Sequence, residues 1–263
     1  MRRSVILATA TLLGAVLVAD CRAHDLKVML SRFLVEPGAN DTVHISYGHV
    51  LPVDGPIDAS TLDEYYLRTP SGSVSYLKKE GVSVQSNDVH IEEEGVYQAV
   101  AARQPSVWCE VVDATGNHSH HRGTRSSILR EVGTVELATY SHTYAKAILI
   151  SGKTPDKPVE PLGHEIEIVP VTAPQEWRSG RDVQFKVLFQ GKMLSSAELL
   201  ATYVGFKPDN AWCYATYSNA RGIAVVRPSA ARHLGAAGQE AEARAQRQAG
   251  GIRRRIVHSD PRA

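Results

Sequence analysis

The sequence has few of the residues and motifs on which most enzymes and disulfide-bonded scaffolds depend. Its 263 residues include three cysteines, four phenylalanines and three tryptophans. It contains no Gly-x-Ser-x-Gly, no His-Glu-x-x-His and no phosphate-binding glycine loop. An excess of charge of one sign is also missing, because the formal net charge is +1. These absences argue against an enzyme, a nucleic-acid partner and a strongly charged membrane surface.

Long apolar runs are missing except near the N-terminus. Arg2 and Arg3 supply a positive region, and the apolar stretch 6–19 is too short for a resident transmembrane helix. The small residue Ala23 predicts cleavage before His24. We therefore expect residues 1–23 to be a cleaved signal peptide and the mature chain to be periplasmic or secreted.

The three cysteines allow more than one interpretation. Cys21 could carry a lipid anchor, although Asp20 is a poor residue to precede a lipidated cysteine. Cys109 and Cys213 remain after cleavage, and each lies beside a tryptophan in an apolar segment. They could form a disulfide in an oxidising compartment, or they could stay buried free thiols.

What the chain does contain is a succession of short strand patterns separated by turns. Residues 145–150 form a short, largely apolar run, residues 165–168 alternate charged and apolar side chains, and residues 183–189 place apolar side chains at every second position. Similar patterns occupy the first half of the chain. Strands spaced by about 10 residues, without a helical period, favour an all-β fold. We predict two consecutive β-sandwich domains of immunoglobulin-like or transthyretin-like type.

The predicted organisation has five parts. The signal peptide is followed by an N-terminal sandwich (24–112), a His-rich connecting loop (113–133), a C-terminal sandwich (134–228) and an irregular tail (229–263). From residue 232 onward the tail has seven arginines and no aromatic residue. The same amino acids can be encoded by nucleotides that, in a reading frame shifted by one position, encode two good β-strands. These two parts of the tail are the residues that follow Arg232 and residues 251–262. A frameshift is the favoured interpretation, and a natural disordered tail is the alternative.

Histidine is unusually frequent in this sequence, with 11 residues. Cleavage before His24 would give that residue a free α-amine beside its imidazole, and the two nitrogens can chelate one metal ion. Such nitrogen ligands suit Cu, Ni and Zn, with copper highest in intrinsic affinity. The alternative is an exposed terminal histidine that binds nothing.

Four further histidines are candidate metal ligands. His49 follows Gly48 at a predicted strand end, where glycine allows close backbone approach. His118, His120 and His121 place three imidazoles within four residues of the predicted loop, where they could gather a metal locally or simply be solvated. His142 and His164 are expected to be hydrogen-bonded structural residues.

Several short strings together resemble a family of exported bacterial proteins of unknown function, described as the NikM-like periplasmic component that accompanies nickel and cobalt uptake transporters. In the first half they are residues 23–26 (Ala-His-Asp-Leu), 47–49 (Tyr-Gly-His), 52–55 (Pro-Val-Asp-Gly) and 95–97 (Gly-Val-Tyr). In the second half they are residues 144–147, 163–170, 187–192 and 201–206. The tail departs from the family, for which a Gly-x-Trp strand and a final alternating strand are expected.

The resemblance implies a β-rich periplasmic protein that binds or delivers a divalent transition metal, with Ni or Co favoured and Cu or Zn as alternatives. Its implied partner is the membrane permease of the uptake system, through which alone it would associate with the membrane. His24 and His49 are the ligands that transfer most directly. Two other functions stay open: a copper-binding protein or copper monooxygenase that uses the N-terminal chelate, and a metal-free adhesive or carbohydrate-binding sandwich.

Overall fold

The computed structural model describes residues 25–48, 50–129, 132–153, 158–204 and 212–228. The predicted signal peptide, His24, His49 and the tail from residue 229 lie outside the described residues. Within them the chain is built almost entirely from β-strands, with three short 3-10 turns. The predicted all-β sandwich fold is confirmed.

The strands are numbered in chain order. Those of the first half are β1 (Asp25–Leu30), β2 (Leu34–Val35), β3 (Ala39–Gly48), β4 (Ile57–Asp58), β5 (Leu62–Arg68), β6 (Val74–Tyr76), β7 (Val82–Ser83), β8 (Gln85–Ile91), β9 (Gly95–Arg103) and β10 (Ser106–Val112). Those of the second half are β11 (His118–Arg122), β12 (Thr134–Ser141), β13 (Tyr144–Ser151), β14 (Ile166–Pro170), β15 (Val183–Phe189), β16 (Lys192–Met193), β17 (Glu198–Ala201), β18 (Tyr214–Tyr217) and β19 (Ile223–Val226).

Two sheets form the first sandwich. One has the order β1-β3-β8 and the other the order β2-β13-β9-β5-β6. Alternate residues of each strand face the space between the sheets, so that Leu26, Val28 and Leu30 of β1 meet Tyr97 and Ala99 of β9 in one buried cluster. This period of two is the one that the sequence predicted for half-buried strands.

Strand β13 corrects one part of the predicted organisation. The sequence placed residues 145–150 in the C-terminal sandwich, but β13 pairs antiparallel with β9 along its whole length, in the sheet of the first sandwich. Its two faces serve different cores. Ala147 and Leu149 pack in the first cluster, whereas Ile150 packs with Trp177 and Phe185 of a second cluster. A strand that carries apolar side chains on both faces does not reveal from its sequence which neighbours it will have.

The second half contributes smaller sheets around that second cluster. Strand β15 lies between β14 on one side and β16 and β19 on the other, and β17 pairs with β18. The inward side chains of β15, Val183, Phe185 and Val187, pack with Leu199 of β17 and Ala224 of β19. The predicted strand 197–203 is shorter than expected and spans Glu198–Ala201.

A third sheet, here called the ribbon sheet, has the order β11-β10-β12. It is connected to β9 and β13 of the first sandwich. Strand β10 begins three residues after β9 ends, and β13 begins three residues after β12 ends. The sequence predicted a connecting loop over 113–133, and the structure corrects this: residues 118–122 form a strand that pairs with β10. The polar composition of this segment misled the prediction, because exposed strands can consist of polar residues.

Candidate functional site

The two favoured ligands, His24 and His49, lie outside the described residues, but their neighbours in the chain are described. Asp25, which follows His24, lies opposite Gly48, which precedes His49, in the antiparallel pair of β1 and β3. The described residues next to the two predicted ligands therefore lie opposite each other at one end of the same strand pair.

Two polar contacts hold Val50, the first described residue after Gly48. The Val50 backbone N–H donates to Asp54 Oδ2 over 3.1 Å, and Lys27 Nζ donates to the Val50 carbonyl over 2.6 Å. Gly48 has φ of +147°, and a Cβ at this position would lie 2.3 Å from Asp54 Oδ2. Only glycine suits this backbone conformation and this close approach of a carboxylate. Asp54 thus packs directly against the residue that precedes His49, although the sequence analysis did not name it as a candidate ligand.

The ribbon sheet separates the three histidines of β11. Because side chains alternate across a strand, His118 and His120 lie on one face and His121 on the other. The His121 Nε2 atom is 3.0 Å from Ser119 Oγ, a neighbour on that other face. His121 therefore faces away from the other two imidazoles, and metal binding by these three histidines stays a prediction.

His118 instead meets two carboxylates. Its Nδ1 atom lies 3.2 Å from Glu110 Oε1 and 3.9 Å from Glu136 Oε2. One ligand atom from each of the three residues lies within 4.8 Å of the others. We call Glu110, His118 and Glu136 the ribbon triad. One imidazole nitrogen and two carboxylate oxygens are donors that divalent first-row metals accept.

Each member of the ribbon triad comes from a different strand. Glu110 lies opposite His120, so His118 is its diagonal neighbour on the same face. Glu136 reaches that face through a β-bulge in β12: Glu110 lies opposite Leu137, and Val111 opposite Val135, which leaves Glu136 as the extra residue. A bulge breaks strict alternation and can redirect a side chain.

Asp113 holds the turn between β10 and β11. Its Oδ1 atom accepts hydrogen bonds from the Thr115 hydroxyl, the Thr115 N–H and the Asn117 N–H at 2.7, 2.8 and 3.0 Å. The hydrogen bond from the Thr115 hydroxyl, followed by that from the Asn117 N–H, lowers the pKa of Asp113 from 3.8 to about 2. This carboxylate thereby sets the register that brings His118 beside Glu110.

The sequence reasoning missed Glu110 and Glu136. A signal for Glu110 exists, because an Asp-x-x-Gly-Asn turn at 113–117 predicts a hairpin, and a hairpin brings residues 110 and 118 close together. No pattern in the sequence reveals the bulge, so Glu136 could be found only in the structure.

His142 and His164 are hydrogen-bonded, as the sequence analysis expected. His164 Nε2 lies 3.0 Å from Glu64 Oε2, and its ring stacks on Tyr144 at a centroid distance of 4.5 Å. His142 Nδ1 lies 2.6 Å from the Tyr144 hydroxyl. Burial of this phenol raises the pKa of Tyr144 to about 12.

Neither described cysteine forms a disulfide. Cys109 is a buried free thiol and Cys213 a partly buried one. The two sulfur atoms lie 3.3 Å from the carbonyl oxygens of Gly123 and Ala201 respectively. Of the two alternatives that the sequence left open, the structure shows the free thiols.

A comparison with protein-family models matches residues 21–234 to a domain of unknown function, DUF4198. The chain belongs to this family. The match includes every described residue of this DUF4198 chain and ends two residues after Arg232, near the point where the change of reading frame is predicted. No curated protein matches the chain. Within the described residues of this DUF4198 protein, no helix has the length and apolar character needed to cross a membrane.

Proposed function

We propose that this protein is an exported binder of a divalent transition metal, Ni or Co, and an accessory to a membrane uptake system. The observation that carries the proposal is the pairing of Asp25 with Gly48. The predicted N-terminal signal peptide supports export, and the strings that resemble those of NikM-like proteins support the metal and the transporter.

Chain connectivity limits the distance between the two proposed ligands. Opposite Cα atoms in an antiparallel pair are separated by about 4.5 to 5.5 Å. One peptide unit on each side adds about 3.8 Å, so the Cα atoms of His24 and His49 can be at most about 13 Å apart. Two imidazoles and a metal ion between them span such a distance. The described pairing therefore supports one shared site.

The chemistry of this site follows from its donors. A mature chain that starts at His24 offers its α-amine and an imidazole nitrogen, and His49 adds a second imidazole. These nitrogens suit Ni, Co, Cu and Zn. The carboxylate of Asp54 packs against Gly48, beside the proposed site, and supplies negative charge that favours a cation there.

The test begins with N-terminal sequencing of the mature protein, which should read His-Asp-Leu. Titration with Ni, Co, Cu and Zn should then be compared between the native protein and a version extended by one residue. The extension converts a basic amine into a poorly donating amide. The extended protein and His49→Ala should each bind about tenfold more weakly or worse, since even changes around the ligands cost that much.

His44→Ala is the matched control, because His44 lies on the same strand as Gly48 and its Nε2 atom has a different partner, Ser31 Oγ at 3.3 Å. This variant should bind as the native protein does. Equal binding by the native and extended proteins would show that the N-terminal site is wrong. A cobalt or nickel preference should be matched by lower uptake of that metal in cells that lack this protein, whereas a copper preference with dioxygen consumption would favour a copper monooxygenase.

A further inference from the structure

Three donor side chains converge on one exposed face of the ribbon sheet. We propose that the ribbon triad, Glu110, His118 and Glu136, is a second binding site for a divalent transition metal. This site uses none of the ligands of the proposed N-terminal site, so neither depends on the other.

The distances between the donor atoms match those around an ion. Two ligand atoms at about 2.1 Å from a metal and 90 to 110° apart are separated by about 3.0 to 3.4 Å. The His118 Nδ1 atom is 3.2 Å from Glu110 Oε1 and 3.9 Å from Glu136 Oε2. The first distance already fits, and a small rotation of the exposed Glu136 side chain brings the second into range.

The charges of Glu110 and Glu136 favour a cation between them. The two carboxylates face the same nitrogen atom, and like charges brought close together repel each other. A divalent cation between the three groups removes that repulsion and uses all three donors at once. A simple ion pair with a protonated imidazole needs only one of the two carboxylates.

The fold holds two of the donors and leaves the third free to adjust. Glu110 is the least exposed, with 23% of its side chain accessible, and the Asp113 turn sets its register with His118. The bulge places Glu136, which is 54% exposed, at the outer side. Water can complete the coordination of an ion held by one imidazole and two carboxylates. This arrangement favours a borderline ion such as Co, Ni or Zn over soft Cu(I).

The probe for this site is Zn²⁺, together with Co²⁺ for its visible absorption. The protein is the full chain with one extra N-terminal residue and His49→Ala, so that the proposed N-terminal site is absent. Long-range ¹H–¹⁵N spectra of the histidine rings should show Zn²⁺ on the Nδ1 atom of His118. His118→Ala, Glu110→Gln and Glu136→Gln should each lower the affinity for Zn²⁺ and Co²⁺ by about tenfold or more.

His121→Ala is the matched control, because His121 lies on the same strand and faces the other way. It should leave the affinity unchanged. All four side chains are at least partly exposed, so each variant should keep the native β-sheet spectrum, which is to be checked by circular dichroism. The proposal is overturned if His118→Ala and Glu136→Gln bind as tightly as their parent, or if Zn²⁺ shifts the His121 ring and leaves that of His118 unchanged. Failure of the N-terminal test would not change the expected binding of Zn²⁺ by His118, because the protein used here lacks the proposed N-terminal site.

Discussion

Lys146 Nζ donates to Glu167 Oε1 over 2.5 Å in an ion pair whose two side chains are 11% and 2% exposed. Glu167 also accepts the backbone N–H groups of Leu162 and Gly163 at 2.8 and 3.1 Å. The pair joins β13 of the first sandwich to β14 of the second half. It also anchors residues 158–165, a segment we call the strap, in which Val159 packs with Val169 and Leu188.

The buried pair should be far more sensitive to substitution than an exposed one. Burial lowers the pKa of Lys146 while the nearby Glu167 carboxylate opposes the shift, so each charge depends on the other. Removing one partner leaves the other charge buried and alone, and Glu167→Gln should therefore lower the free energy of unfolding by about 3 kcal/mol or more. Urea denaturation measures this loss.

Asp182→Asn provides the control for this variant. Asp182 pairs with Arg227 at 2.6 Å, but both side chains are largely exposed, so water replaces the lost partner. The control should change stability little. Equal losses for the two variants would show that burial does not set the strength of the Lys146–Glu167 pair.

A methyl group at position 48 should disturb the turn beside the proposed N-terminal site. In Gly48→Ala the new Cβ would strain the backbone at φ +147° and collide with the Asp54 side chain. We expect a loss of about 2 to 4 kcal/mol in the free energy of unfolding. Gly38→Ala separates the two causes, because Gly38 has φ of +85° and open space around it. Its loss should stay near the backbone cost alone, about 1 to 2 kcal/mol, and an equal loss in both variants would contradict the close packing of Asp54.

Acid should loosen the turn that positions His118. The pKa of Asp113 is about 2 in the folded protein, below the usual 3.8. Since the folded pKa is the lower one, this carboxylate stabilises the fold above pH 3.8, and its contribution is lost as the pH falls toward 2. A carboxyl ¹³C titration by NMR should give a midpoint for Asp113 near 2. Thr115→Ala removes the strongest cause and should raise that midpoint, whereas a midpoint near 3.8 in the native protein would refute the hydrogen-bonded turn.

The tail after Pro228 is predicted not to complete the second half as written. Strand β19 pairs with β15 along one edge, and three consecutive arginines at 253–255 cannot supply an apolar face for a further strand. A chain that carries the shifted reading from residue 232 should melt at a higher temperature and aggregate less than the natural one. A chain truncated after Pro228 is the control and should behave like the natural one. Resequencing codons 225–235 tests the cause directly.

Local patterns in the sequence were enough to predict the all-β class and the strands with alternating apolar side chains, but not the polar strand β11. Alternating side chains such as Val183, Phe185 and Val187 show their period within a single segment, because alternation is a property of the strand itself. The glycine at position 48 was also recognisable, since a Gly-His pair at a strand end indicates a close approach.

The partner of each strand was decided only by the tertiary structure. Strand β13 joined the first sandwich because its two apolar faces fit two different cores, and no local pattern encodes the neighbour that lies 50 residues away in the chain. The ribbon triad has the same origin. Glu110, His118 and Glu136 come together through a hairpin register and a bulge, and both depend on pairing between strands rather than on any property of one strand.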